Sequence, residues 1–308
     1  MNKSSIYLNK TRESWVVDRF REEWYEYNKD ISTNYILKAN QIWLIAPWMW
    51  KKVRLSNLKK ANVVCTIHHI DMDKFTKSEE EEFYLRDEHI NLYHAISNKT
   101  AKQLEQLTKK TIKTIPFWVN NKIWFQIEKT ESLFKKYKLD KSKFLIGSFQ
   151  RDTEGFDLKT PKLSKGPDRF VEIVKYYKSI HKNIHVVLTG KRRNYVVNEL
   201  IKNDIEFSYF EMAKFHELNE LYNCLDLYIV SSRVEGGPQS ILECGLTKTP
   251  IISTDVGIAN EILSTKSIYN MNNFKEALPD IETAYNNSQK FCIPNGFVNF
   301  RKLFTDEN

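Results

Sequence analysis

Apolar residues recur along this chain in two rhythms. Val16, Phe20, Trp24 and Tyr27 are spaced four, four and three apart, one face of a helix. "QIWLIAPW" and "NVVCTIHH" are short apolar runs of strand length, and "YHAIS" is another. Ser97 is placed to cap the helix that follows, "NKTAKQLEQL", and "TIKTIPFWV" returns to a strand. After a charged stretch the rhythm repeats. "FLIGSF" and "IHVVLTG" are strands, separated by a helix whose apolar face carries Phe170, Ile173, Val174, Tyr177 and Ile180. "HELNELYNCL" predicts a helix, "LDLYIVSS" a strand, "PQSILECGL" a helix, "PIISTDVG" a strand, and "ANEIL" the start of a helix. Strands alternating with helices predict parallel sheets covered by helices, and no repeat of fixed period interrupts them. The expectation is an α/β chain of two doubly wound sheets facing each other, with ligands at the carboxyl ends of the strands.

Glycine and tryptophan divide the chain. All nine glycines lie at or after Gly147, and all seven tryptophans at or before Trp124. A backbone that approaches phosphate closely usually needs glycine, so the second half is the expected phosphate-holding domain. The expected domains are 1–140, 141–285, and a terminal segment, 286–308, in which "FVNFRKLF" returns to the first domain. With 308 residues, 41% hydrophobic and 28% charged, the chain has material for two cores. No apolar run reaches membrane-spanning length, and the first ten residues lack the apolar core of a signal peptide, so the cytoplasm is the expected location. Four unpaired-looking cysteines predict reduced buried thiols. A formal charge of +8 favours an anionic partner, although clusters such as "TKKTIKT" and "GKRRN" are expected to be mostly solvated.

The stretch "SSRVEGGPQSILECG", Ser231 to Gly245, concentrates the chemistry. Gly236 and Gly237 predict a tight turn after a strand, and Pro238 suits the first position of a helix. The free N–H groups of that helix would face a phosphate. Glu235 sits just outside it and Glu243 within the helix, one on each side of the expected diphosphate. A carboxylate can hold two vicinal hydroxyls, which sugars and riboses both present. The expected ligand is a nucleotide sugar.

Residues "SSRVEGGPQSILECGLTKTPIISTDVGIANEIL" resemble the donor-binding segment of glycosyltransferase family 4, which has the GT-B fold: two Rossmann-like domains facing across a cleft. The resemblance extends upstream through "IGSFQRDTEG", "KLSKGPDRFVEIV" and "HVVLTG", covering about Phe144 to Leu263. It implies that Glu235 contacts the donor sugar and Glu243 the ribose. It also implies backbone contacts from Gly236, Gly237, Pro238, Gln239 and Ser240, and a diphosphate held by Arg151 and Lys165. The activity implied is retaining transfer of a sugar from a nucleoside diphosphate to an acceptor hydroxyl, with no cofactor and no metal, in surface polysaccharide or glycolipid synthesis. The expected partners are a nucleotide sugar donor and a saccharide or lipid-linked acceptor, with no nucleic acid. The sequence departs from the family in three places. Lys248 stands where the family often has glycine, the first 146 residues have no glycine loop, and the loop between Arg151 and Lys165 is long.

"TIHHIDMD", Thr66 to Asp73, resembles the family's strand end, which aligns His68 with a residue that bonds the donor sugar. The same stretch offers a rival. Asp71 and Asp73 beside His68 and His69 are the residue types of a metal site in a metal-dependent enzyme. A basic nucleic-acid-binding module is a second rival, resting on charge and aromatics, though no RNA-binding signature is present. A sugar-nucleotide epimerase on the same fold is a third. Trp48 and Trp50 beside Lys51, Lys52 and Arg54 are placed for peripheral contact with the inner face of a membrane.

Overall fold

The structure, a computed structural model, describes residues 4–11 and 16–305. It divides into two compact units, Met1–Trp118 with Pro294–Asn308, and Val119–Ile293. Residues 1–3 and 306–308, the outer ends of the expected first and last segments, lie outside the described residues.

In the first unit, strands β1 (Ile6–Leu8), β2 (Gln41–Leu44), β3 (Asn62–Ile67), β4 (Leu92–Ala95) and β5 (Thr111–Thr114) form one parallel sheet in the order β1-β2-β3-β4-β5. Alternation along the strands sends Ile42, Leu44, Val63, Cys65 and Tyr93 to one face, where they meet Leu58, Phe83 and Leu104 of three helices. The other face is aromatic. Trp43 packs edge-on to Trp24 of helix Val16–Tyr27 at 5.2 Å and against Phe300 of helix Val298–Thr305 at 5.4 Å. Helix Val16–Tyr27 buries Val17, Phe20 and Trp24, whereas Val16 faces outward, so the buried stripe is rotated from the expected one. Ser97 caps its helix as expected, accepting from Thr100 N at 3.2 Å.

The second unit has strands β6 (Phe144–Phe149), β7 (Ile184–Thr189), β8 (Phe207–Phe210), β9 (Leu227–Val230), β10 (Ile251–Thr254) and β11 (Ile268–Tyr269), all parallel. Their order is β11-β10-β9-β6-β7-β8. The chain starts at the centre, runs outward through β8, then returns to the other side of β6 and runs outward again. The sheet therefore has a topological switch point between β6 and β9, where α/β sheets bind their ligands. The first sheet keeps one direction throughout. Alternate residues of β6, β7 and β9 feed two cores, Leu145, Val187 and Tyr228 on one face and Ile146, Val186 and Ile229 on the other.

The boundary between units follows Trp118, earlier than the expected 140. The charged stretch after it belongs to the second unit for two reasons. Its backbone is held by Asn219, whose side chain accepts from Phe125 N at 3.0 Å, and by Asn223, which accepts from Ile127 N at 2.9 Å. Leu133, Phe134 and Tyr137 are buried in that unit's core, each large apolar side chain contributing about 1.5–3 kcal/mol.

Candidate functional site

The carboxyl ends of β6 and β9 lie side by side, and the segments leaving them carry most of the expected site residues. After β6 come Gln150 and Arg151; after β9 come Ser231 and Ser232. The Gln150 side chain donates to the Lys165 carbonyl at 3.0 Å. Lys165 closes a single 3-10 turn, Leu163–Lys165, and Gly166 follows in the left-handed region at φ 62° before helix Pro167–Ile180 begins. A Cβ on Gly166 would lie 1.9 Å from the Ser231 carbonyl oxygen, so glycine lets this turn press on the end of β9. Two further links fix the approach. Arg233 N and Val234 N donate to the Ser164 carbonyl at 2.8 and 3.1 Å. The Arg233 guanidinium grips the Asp168 carboxylate with two bonds, 2.7 and 2.6 Å. This bond holds the Asp168 carboxyl below its ordinary range.

The result is that Lys165 and Glu235, 70 positions apart, form an ion pair through Nζ and Oε1. The Ser232 hydroxyl donates to the same Glu235 oxygen at 3.2 Å. Arg151, which follows Gln150, has its Nε donating to the Thr153 carbonyl at 2.8 Å, and it and the pair all lie within electrostatic reach of Lys162. The long loop after Arg151 is a small hairpin, closed by a bridge between Thr153 and Pro161. Its base is fixed from below. Arg193 and Asp152, each 1% exposed, form an ion pair at 2.7 Å, and Arg193 also donates to the Ser148 and Thr189 carbonyls. Burial pushes the Asp152 carboxyl up, and the neighbouring guanidinium pulls against it. Arg193 belongs to "GKRRN", expected to be solvated; its burial is a correction.

The turn Glu235–Pro238 leads into helix Gln239–Thr247. Pro238 lies just before the helix, at φ −57° and ψ 111°, rather than at its first position. Its carbonyl accepts from Ile241 N at 3.0 Å. Neither Gly236 nor Gly237 has a positive φ. The backbone that needs glycine here is Gly257, at φ 51°, whose Cβ would come within 2.3 Å of the Gly236 carbonyl oxygen. The "TDVG" turn thus supports the Gly236–Gly237 backbone from beneath. Ser240 faces the Tyr228 phenol, which also accepts from Phe149 N at 3.0 Å. Glu243 is 8% exposed, and its Oε2 accepts from the Tyr222 hydroxyl at 3.0 Å. Burial, then Tyr228 and Glu243, push the Tyr222 phenol far above its ordinary value, which keeps it a donor. Lys248 ends the helix at φ 53°, the left-handed closure for which the family often uses glycine.

Sequence reasoning missed Gln150, Lys162, Arg193 and Ser232. Each acts through a partner distant in the chain or through its place in a turn, and no local spacing marks it.

The first unit carries the remaining candidate. His68 follows β3, half-buried, with Nε2 donating to the Ile45 carbonyl at 2.8 Å between the rings of Phe117 and Trp48. Burial lowers its pKa, so the ring is neutral with Nδ1 as its acceptor nitrogen. Deeper, His94 is fully buried. Its Nε2 donates to the Ile115 carbonyl at 2.7 Å, so its Nδ1 accepts from the Thr66 hydroxyl at 2.9 Å. Asp71 precedes the 3-10 turn Met72–Lys74, and Asp73 is exposed. Among the described residues, no group of three or more His, Cys, Asp or Glu is arranged to hold a metal ion.

Residues 159–287 match the family model described as "Glycosyl transferases group 1". The chain carries a group 1 glycosyltransferase domain. Its activity is that of a glycosyltransferase. The matched segment contains Lys165, Glu235 and Glu243, whereas Arg151 lies upstream of it. Among solved structures, the chain is similar to HepE of Anabaena in complex with UDP, at 14% identity and a TM-score of 0.73, covering 97% of this chain and 99% of that one. It is also similar to sucrose-phosphate synthase of Thermosynechococcus elongatus, at 12% identity and a TM-score of 0.68, covering 96% of this chain and 79% of that one. A third similarity is to TarM of S. aureus in complex with fondaparinux, α-GlcNAc-glycerol and UDP, at 16% identity and a TM-score of 0.65, covering 86% and 55%. At these identities the likeness establishes the fold, GT-B, with two parallel-sheet Rossmann-like units. No curated protein matches the sequence. Among the described residues, no helix is long and apolar enough to cross a membrane.

Proposed function

We propose that this chain is a retaining glycosyltransferase that moves a sugar from a nucleoside diphosphate sugar to an acceptor hydroxyl without a metal ion. The observation that carries this reading is the Lys165–Glu235 ion pair at the switch point of the second sheet, beside Arg151 and the start of helix Gln239–Thr247. The reaction breaks the anomeric C–O bond, and its electron pair leaves on a diphosphate oxygen. That oxygen gains charge in the transition state, where Lys165 and Arg151 stabilise it. The helix start adds backbone N–H groups to the same task. Glu235 accepts from the donor sugar's hydroxyls, and its negative charge favours positive charge developing at the anomeric carbon. Glu243, oriented by Tyr222, accepts from the ribose. The acceptor oxygen attacks from the face the diphosphate leaves, giving up its proton to the departing phosphate oxygen. Configuration is thereby retained. His68, in the first unit, carries a neutral Nδ1 able to accept a hydrogen bond from a hydroxyl. Cationic side chains take the place of a metal ion.

HepE is known in complex with UDP-glucose, and TarM with a saccharide and UDP, which support a uridine nucleotide donor and a saccharide acceptor. The role assigned is surface polysaccharide or glycolipid synthesis at the cytoplasmic face of a membrane. The test is to incubate the protein with UDP-, GDP- and ADP-sugars and saccharide acceptors in EDTA, and read the product's anomeric configuration by NMR. The expected product retains the donor configuration, and Lys165→Ala lowers turnover by about 100-fold or more. An inverted product, or transfer abolished by EDTA and restored by manganese, contradicts the reading.

A further inference from the structure

The hairpin between Arg151 and Lys165 places a second lysine at the site. Its returning arm runs through Pro161, paired with Thr153, to Lys162, whose N–H donates to the Asp152 carbonyl at 2.8 Å. Lys162 is thus tied to the residue next to Arg151, and Asp152 is itself locked by the buried Arg193. From Lys162 the chain makes one 3-10 turn, with Lys165 N donating to the Lys162 carbonyl at 2.8 Å. Lys162 stands at the start of that turn, near enough to Lys165 and Arg151 for their charges to act on its ammonium.

The charges around Lys162 are unbalanced. Lys165 and Arg151 oppose it, while Glu154 and Glu235 attract it. Glu235 is already paired with Lys165. Lys162 is half-buried and makes no ion pair among the described residues. Burial, then repulsion from Lys165 and Arg151, holds its ammonium below the ordinary lysine value. A multiply charged anion between these three cations relieves that repulsion.

We propose that Lys162 is a third cation for the leaving diphosphate, delivered to it by the hairpin that lengthens this loop. The proposal rests on the donor-site reading above. It adds a residue to which the resemblance assigns no role, and it gives the long loop a purpose.

The experiment titrates UDP, GDP and ADP, in EDTA, into wild type, Lys162→Met and Lys162→Arg, and carries forward the base that binds. The parent nucleoside is titrated in parallel by NMR. Lys162→Met should weaken the diphosphate by about tenfold, the loss of one charge-assisted contact, and leave the nucleoside within about twofold. Lys162→Arg should keep the diphosphate within about threefold, because it keeps the charge. A second readout is proton uptake. Bound phosphate raises the pKa of Lys162, so above the free pKa binding must take up a proton and weaken as pH rises. That uptake, seen as a dependence of the binding heat on the buffer's ionisation enthalpy, should vanish in Lys162→Arg. Unchanged diphosphate affinity in Lys162→Met overturns the proposal, as does an equal loss for nucleoside and diphosphate, which marks Lys162 as structural. No diphosphate binding by wild type overturns the donor-site reading and the proposal with it.

Discussion

The two sheets differ in the polar groups buried against their strand ends. At the centre of the first lies a neutral one, although helix Val16–Tyr27 on its face also buries Arg19 with Glu23. His94, held between Thr66 and Ile115 beneath Trp43 and Phe300, has its pKa lowered to about 3 by burial and carries no charge. At the strand ends of the second lie charged pairs, Arg193 with Asp152 below the candidate site and Lys165 with Glu235 within it. Their topologies differ to match. The first sheet runs in one direction, while the second reverses between β6 and β9, the kind of point at which α/β sheets bind ligands. A neutral histidine fixes shape and tautomer. Paired charges arranged around a switch point suit the phosphate proposed to bind there.

The sharpest way to break this contrast is to remove the charge below the site. Arg193→Met leaves Asp152 buried without its cation and should cost about 3–5 kcal/mol, with the loss confined to hydrogen exchange in the second unit. A loss spread equally over both units would contradict the division drawn here.

That pair also marks the limit of what the sequence discloses. Strands β6, β7, β9 and β10 were legible because their apolar runs are bounded by turn residues. Lys165, Glu235 and Glu243 were legible because they sit in a patterned segment. Arg193 looked like one of a solvated basic cluster, because only its position across from Asp152 and Ser148 reveals the burial. Strand β1, with three residues, is too short to show a period. Helix Lys77–Asp87 was missed because its sequence is mostly charged and it buries Phe83 alone. The glycine requirement was placed on Gly236 and Gly237, but close backbone contacts put it on Gly166 and Gly257.

A smaller effect sharpens the other side of the comparison. An unfolded histidine titrates near pH 6.5, whereas His94 in the folded chain titrates near 3. The unfolded state therefore binds the extra proton, and stability present above pH 6.5 is lost as pH falls toward 3. The slope is about 1.4 kcal/mol per pH unit, so about 2–3 kcal/mol is gone at pH 4.5. Urea melts followed by hydrogen exchange in the first unit should show that loss, and His94→Gln should reduce the slope, leaving the share of His68, whose pKa burial lowers to about 4. An unchanged slope in the variant would assign the acid sensitivity elsewhere.

The most direct test of the central claim, that the switch point of the second sheet is the nucleotide site, is hydrogen exchange with and without the nucleoside diphosphate that binds, in EDTA. The account predicts protection at Arg151, at Lys162–Gly166 and at Ser231–Ser240, with Thr66–Asp73 unchanged. Protection confined to Thr66–Asp73, or appearing only with a metal ion, would contradict it.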